Sequence, residues 1–519
     1  MLFNSRIFIL YFLPAVYAGF VFLTRIRQER AAVGWLAGAS LLFYSWWNIA
    51  CLPIFLASIV MNFVFGTWLA RSPSRSLFLF AVGLNLLALA WYKYAGFLFQ
   101  TLDQIPGVSL SVPSIVLPLA ISFFTFQQIA YLSDAHDGRA VEHSFPDYLL
   151  FISFFPHLIA GPITHHREML PQFTQLLRSG GEVGRLTVGL TLFLTGLTKK
   201  VILADPIGTY VGPVFSLARE GGIPSFTLAW SGALSYAMQI YFDFSGYTDM
   251  AIGLGLLFGI SLPPNFDSPY KARNIIEFWS RWHMTLTRFL TAYVYNPITL
   301  ALTRARVKSG RPVPKRGKTT PGAFATLTAG PTVFTMFVSG VWHGAGWQFI
   351  VFGLLHGIYL TVTHAWHALK AHRPSLVRPE TRVKTVFSVL LTFLCVLVGL
   401  IFFRVADVGS ACRILLGMAG HSLRQPLSMP DIAGVTATQV LALVVLGLIV
   451  WFLPNASQWM RDYRTALEPE AGFPRTDGSF FALKWRPTFA FGLLTGLVGT
   501  LALMRALSAA PTEFLYFQF

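Results

Sequence analysis

Charged residues are scarce in this chain. Only 12% of its 519 residues are Asp, Glu, Lys or Arg, whereas soluble domains carry about a quarter. This deficit excludes an ordinary soluble enzyme. Hydrophobic residues make up 54% of the chain and the mean hydropathy is +0.59. The composition therefore predicts an all-α polytopic membrane protein.

Cysteine is also rare, and several binding signatures are missing. Cys51, Cys395 and Cys412 show no metal or redox spacing. No HExxH motif, P-loop or GxGxxG in the proper context is present, which argues against zinc proteolysis and nucleotide hydrolysis. The net charge of +17 lies mainly in loops and forms no basic stripe with interleaved aromatics. We therefore expect no bound metal or cofactor and no nucleic-acid partner.

Apolar runs recur from end to end, and a spanning helix needs ~20 such residues. Some runs can re-enter or lie in the interface, so we predict roughly eleven to thirteen helices in a single membrane domain, 1–519. Arg25 follows the first run in place of a cleavage site, which predicts a retained helix. The segment Phe155–Pro162 is expected to be broken or re-entrant, because Pro ends a regular helix. The candidate runs are 6–23, 32–50, 52–70, 76–98, 114–133, 146–163, 185–204, 225–241, 247–262, 323–341, 348–367, 385–403, 437–454 and 488–507.

Basic residues predict the orientation of the chain. Lys and Arg follow the first and third runs and cluster in 304–318, 370–384 and 461–486. The segments 99–113 and 404–435 hold fewer of them. By the positive-inside rule, the basic loops are expected in the cytoplasm and the N-terminus outside.

The segment 319–369 contains no charged residue although basic stretches flank it. It is long enough for two spans joined by a tight turn at Val341–Trp347, where Gly344 and Gly346 permit a sharp bend. The turn presents His343 in or beside the membrane. A histidine there is costly unless it is paired or functional, so we favour a catalytic role. A hydrogen-bonded histidine that caps the hairpin is the alternative.

Two carboxylates interrupt the apolar region 240–270. Asp243 and Asp249 are the only charges between Glu220 and Asp267. Carboxylates in apolar stretches usually face a wet cavity or a partner. We expect them to hold a helix break by accepting backbone donors, and direct chemistry is the alternative.

The segment Glu277–Thr287 combines aromatic residues with a histidine. Glu277 and Arg281 form an i,i+4 pair on a helix. Trp279, His283 and Thr287 would form one stripe beside an apolar stripe. This pattern predicts an amphipathic helix at the interface or entering a cavity. The apolar stripe consists of Phe278, Trp282, Leu286 and Phe289.

In combination these motifs resemble the membrane-bound O-acyltransferases (MBOAT), in particular the bacterial branch that contains the membrane subunit of alginate O-acetylation. The resemblance implies a ring of helices around a thin central partition, with a cytoplasmic tunnel for the acyl donor and an outer funnel for the acceptor. His343 corresponds to the catalytic histidine of the family, and His283 matches the second histidine of that branch. The matching segments are Phe151–Phe173, Tyr241–Gly255, Phe278–Leu286 and Trp342–Gly357.

The resemblance also implies substrates and a location. The expected donor is acetyl-CoA, and the expected acceptor is an exopolysaccharide such as alginate or an exported partner acetyltransferase, at a bacterial inner membrane. Relatives in alginate acetylation carry an Arg-Asp pair where this chain has Thr291 and Ala292. The basic loop 299–322 also lacks their Gly-Gly-Asn-Arg-like signature. These departures leave the polymer open.

We predict acyl transfer with His343 as general base, and an acyl-histidine intermediate is a second possibility. One rival function is D-alanyl-type transfer from a carrier protein to teichoic acid. Another is a transporter without covalent chemistry, although no matched pair of broken helices is present. The expected catalytic residues are His343 and His283, and the expected positioning residues are Trp279, Trp282, Asp243, Ser245, Trp342 and Asn265.

Overall fold

A computed structural model shows a chain built of α-helices. Over the residues it describes there is no strand, and one isolated bridge pairs Phe266 with Trp282. This confirms the predicted all-helical class. The described residues are 1–106, 108, 115–139, 144–173, 183–314, 319–376, 379–421, 435–463, 465–467, 484–508 and 510–515.

The helices follow one another through mostly short connections. Their bounds are α1 Phe8–Arg25, α2 Glu29–Ser45, α3 Ile49–Arg71, α4 Arg75–Asp103, α5 Ile121–His136, α6 Phe145–Ser153, α7 His166–Phe173, α8 Gly184–Gly208, α9 Val211–Arg219, α10 Phe226–Leu257, α11 Ile275–Trp279, α12 Met284–Leu290, α13 Asn296–Lys308, α14 Pro321–His343, α15 Trp347–His372, α16 Arg382–Arg404, α17 Val408–Met418, α18 Ala437–Phe452 and α19 Phe489–Ser508. A short helix, Phe155–Leu158, follows α6 after a break at Phe154, which confirms the predicted interruption.

Among the described helices, α1, α3, α4, α8, α14, α15, α16 and α19 are long and apolar enough to cross a membrane. α17 and α18 are apolar but shorter. A multi-pass membrane protein is therefore established, while the total of eleven to thirteen helices stays a prediction. The described residues do not cover all of the segments used to predict the orientation, because 107, 109–113, 315–318, 377–378, 422–434, Arg464 and 468–483 lie outside them.

The predicted break between residues 241 and 247 is wrong. The runs 225–241 and 247–262 correspond to the single helix α10, 32 residues long. Asp243 and Asp249 do not compete for the backbone donors of α10, because two lysines of α8 pair with them. Lys200 Nζ lies 2.7 Å from Asp243 Oδ1, and Lys199 Nζ lies 2.6 Å from Asp249 Oδ2. Ion pairing therefore allows two charges inside a continuous buried helix.

Helix α10 is buried along most of its length. Its second half packs into a hydrophobic cluster with α1–α3 and α5–α8, and its first half packs into another with α9 and α15–α18. A helix that is apolar on all sides belongs in such an interior position. Small residues bring α8 close: a Cβ added at Gly253 would lie 2.5 Å from the Gly189 carbonyl oxygen.

Three of the π-helical turns among the described residues carry buried or half-buried side chains that bond to neighbouring elements. The turns are Ala90–Tyr94 in α4, Lys199–Ala204 in α8, and Thr291–Tyr295 between α12 and α13. They contain Lys93 and Lys200, whose ammonium groups bind oxygens of neighbouring elements. Such turns are frequent at functional sites because they redirect side chains that a regular helix would place elsewhere.

The predicted hairpin is confirmed. α14 ends at His343, Gly344 and Gly346 are extended, and α15 begins one residue later. The two helices pack at backbone distance: a Cβ added at Gly353 would lie 2.4 Å from the Met336 carbonyl oxygen. The close packing fixes the end of α14 against α15.

Gly353→Ala is therefore expected to lower the thermal stability of the detergent-solubilised protein. The new carbon would meet backbone atoms of Met336 and Gly340, which cannot rotate away, and overpacking costs about 1–3 kcal/mol. Gly83→Ala in α4 is the matched control, since nothing lies within 4 Å of the added carbon. It should be neutral or raise stability by up to about 1 kcal/mol. Equal melting temperatures for the two variants would contradict the close crossing.

Candidate active site

His343 lies at the apex of the α14–α15 hairpin and is 6% exposed. Aromatic rings surround it: ring centroids lie 4.8 Å away for Trp342, 4.9 Å for Phe403 and 5.8 Å for Phe352. The imidazole is thus held in a water-poor, aromatic environment. Such an environment strengthens electrostatic interactions with a bound substrate.

The segment around His283 differs from its prediction. The expected continuous amphipathic helix is wrong, because α11 ends at Trp279 and α12 starts at Met284. His283 stands between them with φ +46°, a left-handed conformation that is uncommon for a residue with a Cβ. Glu277 and Arg281 do form the predicted ion pair. Strained backbone of this kind clusters at functional sites.

Asn265 determines the tautomer of His283. The Asn265 Oδ1 atom accepts hydrogen bonds from the Thr285 N–H at 3.2 Å and the Thr285 hydroxyl at 2.9 Å. Because the N–H can only donate, this atom is the amide oxygen, and His283 Nδ1 at 3.0 Å must donate to it. In neutral His283 the lone pair therefore lies on Nε2. Burial lowers the pKa of His283 to about 3, which keeps the ring neutral at physiological pH.

Trp342 stands between the two histidines. Its ring centroid lies 6.1 Å from that of His283 and 4.8 Å from that of His343. Phe126 stacks on it at 5.3 Å and fixes its plane. The tertiary structure thus brings together three predicted site residues that are up to 60 positions apart in the chain.

Trp279 is placed next to another histidine, His356 of α15. Its Nε1–H donates to His356 Nδ1 at 3.3 Å, so this polar atom is used within the protein. His356 is 1% exposed and its ring lies 4.7 Å from Phe352, which in turn faces His343. Trp279 and His356 therefore pack against Phe352, one of the aromatic residues that surround His343.

Trp282 packs among other aromatic side chains. Its ring stacks on Phe278 at 5.8 Å and on Tyr270 at 6.1 Å, and meets Phe266 edge-on at 5.1 Å. Only 8% of the residue is exposed. The described contacts of Trp282 are thus with protein aromatic rings.

Asp243 and Ser245 lie on α10, and neither residue is among the described contacts of His283 or His343. Asp243 accepts from Lys200 Nζ and, at 2.9 Å, from the backbone N–H of Leu515 near the C-terminus. Ser245 is buried, and among the described residues its hydroxyl has no hydrogen-bond partner. Asp243 thus braces the bundle through α8 and the C-terminal segment.

Sequence reasoning missed Lys93, and it did not place Lys200 in a buried ion pair. Lys93 bonds to the backbone of Trp342 and His343, and Lys200 bonds to Asp243 and Asp205. A single charge within an apolar run was the available signal for Lys93. Among the described residues, no group of three or more His, Cys, Asp or Glu is placed to hold a metal ion.

Comparison with known proteins gives a consistent picture. Residues 139–311 match the model of the membrane-bound O-acyltransferase family. The peptidoglycan O-acetyltransferase of Helicobacter pylori is 37% identical over 451 residues, which are 81% of this chain and 80% of that protein. A probable alginate O-acetylase of Pseudomonas putida is 33% identical over 534 aligned residues, covering 100% of both chains. A teichoic acid D-alanyltransferase of Bacillus subtilis is 29% identical over 286 residues, 55% of this chain and 68% of that protein.

The matched family segment contains α10, α11, α12 and His283, and the longer alignments extend over most of the helical bundle. Two O-acetyltransferase relatives above 30% identity cover four fifths or more of their own length. The chain belongs to the membrane-bound O-acyltransferase family and is an O-acyltransferase.

Proposed function

We propose that the protein moves an acetyl group from cytoplasmic acetyl-CoA to a hydroxyl acceptor on the other side of a bacterial inner membrane. The observation that carries this proposal is the apical position of His343 on the α14–α15 hairpin, beside His283 and Trp342. Basic stretches flank both base ends of the hairpin, and the positive-inside rule assigns these ends to the cytoplasm. The apex then points away from it, and donor and acceptor meet His343 from opposite sides.

His343 acts as the general base in this proposal. Its imidazole takes the proton of the acceptor hydroxyl while the oxygen bonds to the carbonyl carbon of the thioester. The C–S bond breaks, and the departing CoA thiolate recovers the proton from the imidazolium. An acyl-histidine route would instead place the acetyl group on the ring before the hydroxyl attacks.

Asn265 and His283 supply polar groups beside this reaction. The bond to Asn265 holds the His283 ring in one tautomer, and we assign this ring to orient the acceptor hydroxyl. The Asn265 Nδ2 group is buried and has no accepting partner among the described residues. We assign it as a donor to a substrate oxygen, because a preorganised donor stabilises charge that develops on the thioester carbonyl.

The acceptor is proposed to be a polysaccharide hydroxyl, reached directly or through a serine of an exported partner. The Helicobacter pylori relative is named for peptidoglycan and the Pseudomonas putida relative for alginate. Both polymers are therefore the first acceptors to test. Teichoic acid is the acceptor named for the more distant relatives, which supports it less strongly.

The test is an assay of the purified protein in detergent, where both faces are accessible. Radiolabelled acetyl-CoA is supplied with alginate, with peptidoglycan fragments, or with a periplasmic extract. Transfer of label to one of these supports the proposal. D-alanyl carrier protein replaces acetyl-CoA in a parallel reaction, and turnover with that donor alone would assign the D-alanyl function. Reversible donor binding without any acetyl release would indicate a transporter.

A further inference from the structure

The carboxyl end of α14 receives its cap from another helix. The last carbonyl groups of any helix lack partners in their own helix, and no water replaces them in hydrocarbon. Beyond His343 the chain is extended, so the following residues do not turn back as a glycine cap would. The donors come from α4 instead: Tyr94 OH donates to the Val341 carbonyl at 2.7 Å, and Lys93 Nζ to the Trp342 carbonyl at 2.6 Å.

Lys93 also bonds to the backbone carbonyl of His343, the candidate catalytic residue. Its Nζ lies 3.3 Å from the His343 carbonyl oxygen and 3.2 Å from Ser122 Oγ of α5. Three successive carbonyls of α14, from residues 341 to 343, are thus bound by two successive side chains of α4. The π-helical turn Ala90–Tyr94 explains how neighbouring residues can serve one helix end, because a wider turn reduces the angle between adjacent side chains.

The charge of Lys93 also matches this place. A helix carboxyl end carries a partial negative charge, which favours a cation there. Among the described residues no carboxylate lies within ion-pair distance of Lys93, so the oxygens at the end of α14 and Ser122 are its described partners. An ammonium has three N–H donors, and these three acceptors use all of them. Lys93 therefore has no donor left for a substrate.

We propose that Lys93 is a positioning residue that holds the backbone of Trp342 and His343, and through it the His343 imidazole, in the reactive arrangement. This inference rests on the proposed role of His343. We call the bonds from Lys93 to the Trp342 and His343 carbonyls the clamp. Loss of the clamp would free the last turn of α14 without removing any group that touches the substrate. A ~1 Å displacement of a reacting group can reduce the rate by about 100-fold.

The decisive variants are Lys93→Met, Lys93→Gln and Tyr94→Phe, with Thr101→Val as control. Thr101 lies on the same helix, and its hydroxyl bonds to the Phe97 carbonyl within that helix. Two quantities are measured: amide hydrogen exchange of the peptide spanning residues 338–347, and kcat and KM for acetyl-CoA. The exchange measurement does not depend on the identity of the substrate.

Lys93→Met is expected to speed exchange at the end of α14 by about tenfold, because its buried carbonyls lose their donors. The kcat should fall by about 100-fold, while the KM for acetyl-CoA stays within about twofold. Lys93→Gln retains two N–H donors and should show intermediate values for both. Tyr94→Phe should show a few-fold faster exchange, and Thr101→Val should match the wild type.

Unchanged exchange in Lys93→Met would overturn the clamp, even if activity fell. Faster exchange in Lys93→Met, combined with an inactive wild type, would keep the clamp and reject the proposed function. If Lys93→Met cannot be isolated as a folded protein, Tyr94→Phe decides the question. Wild-type exchange in Tyr94→Phe would then overturn the inference.

Discussion

Replacing His343 with glutamine is expected to reduce acyl transfer by about 100- to 10,000-fold, the usual contribution of a positioned base. Glutamine keeps a polar side chain of similar length among the surrounding residues Trp342, Phe352 and Phe403, but it cannot take a proton from a hydroxyl. The fold should survive because the hairpin packs through Gly353 and its neighbours, not through the imidazole. Initial rates with radiolabelled acetyl-CoA measure the effect.

His367→Gln is the matched control for this experiment. His367 is exposed on α15, the other helix of the hairpin, and lies far along the helix from the apex. It should retain wild-type rates, and both variants should elute and melt as the wild type does. A folded His343→Gln protein with full activity would refute the role of His343 as a base.

Lys200→Met is expected to lower the free energy of unfolding by about 3–5 kcal/mol, the cost of breaking a buried ion pair on one side. The Lys200 ammonium bonds to Asp243 at 2.7 Å and to Asp205 at 2.9 Å, and the side chains of Lys200 and Asp243 are 2% and 3% exposed. Methionine would leave Asp243 buried and charged. Thermal unfolding in detergent measures the loss.

The same substitution is expected to release the C-terminal segment. Lys200 donates to the Glu513 carbonyl at 2.9 Å, and its ammonium lies 4.6 Å from the Phe514 ring centroid. Leu515, only 7% exposed, would then become accessible to solvent. Labelling of Leu515→Cys with a maleimide, in a Cys412→Ser background that removes an exposed thiol, would report this release.

A double variant supplies the control. In Lys200→Met/Asp243→Leu the buried charge is removed together with its partner, and such apolar replacements are often neutral. Recovery of most of the stability would show that the loss in Lys200→Met arises from an unpaired carboxylate. If the single variant melts like the wild type and Leu515→Cys stays unreactive, the structural role of Lys200 is wrong.

Part of the fold could be predicted because its causes are local in the chain. The uncharged segment 319–369, with glycines at its centre, predicts two helices and a turn, and α14 and α15 meet at Gly344–Gly346. The break near Phe155 follows from proline geometry in the same way. The pair Glu277–Arg281 depends on residues one turn apart and was likewise predictable.

Other features could not be predicted because they depend on residues from distant segments. Two carboxylates in an apolar run indicate a helix break. In the structure Lys199 and Lys200 of α8 pair with these carboxylates, so α10 stays continuous. The regular spacing around His283 indicates one helix, but Asn265 binds His283 and Thr285 and ends it. In each case a partner outside the local window reverses the local preference.

By itself, the amino-acid sequence determined the membrane class, the hairpin that carries His343 and, through its motifs, the resemblance to an acyltransferase family, since composition and short-range spacing carry that information. The tertiary structure decided which groups share the site and in which state. It placed Trp342 between His283 and His343, set the tautomer of His283 through Asn265, and brought Lys93 to the end of α14. A buried polar group must find a partner wherever the chain supplies one, and that choice is made by packing in three dimensions.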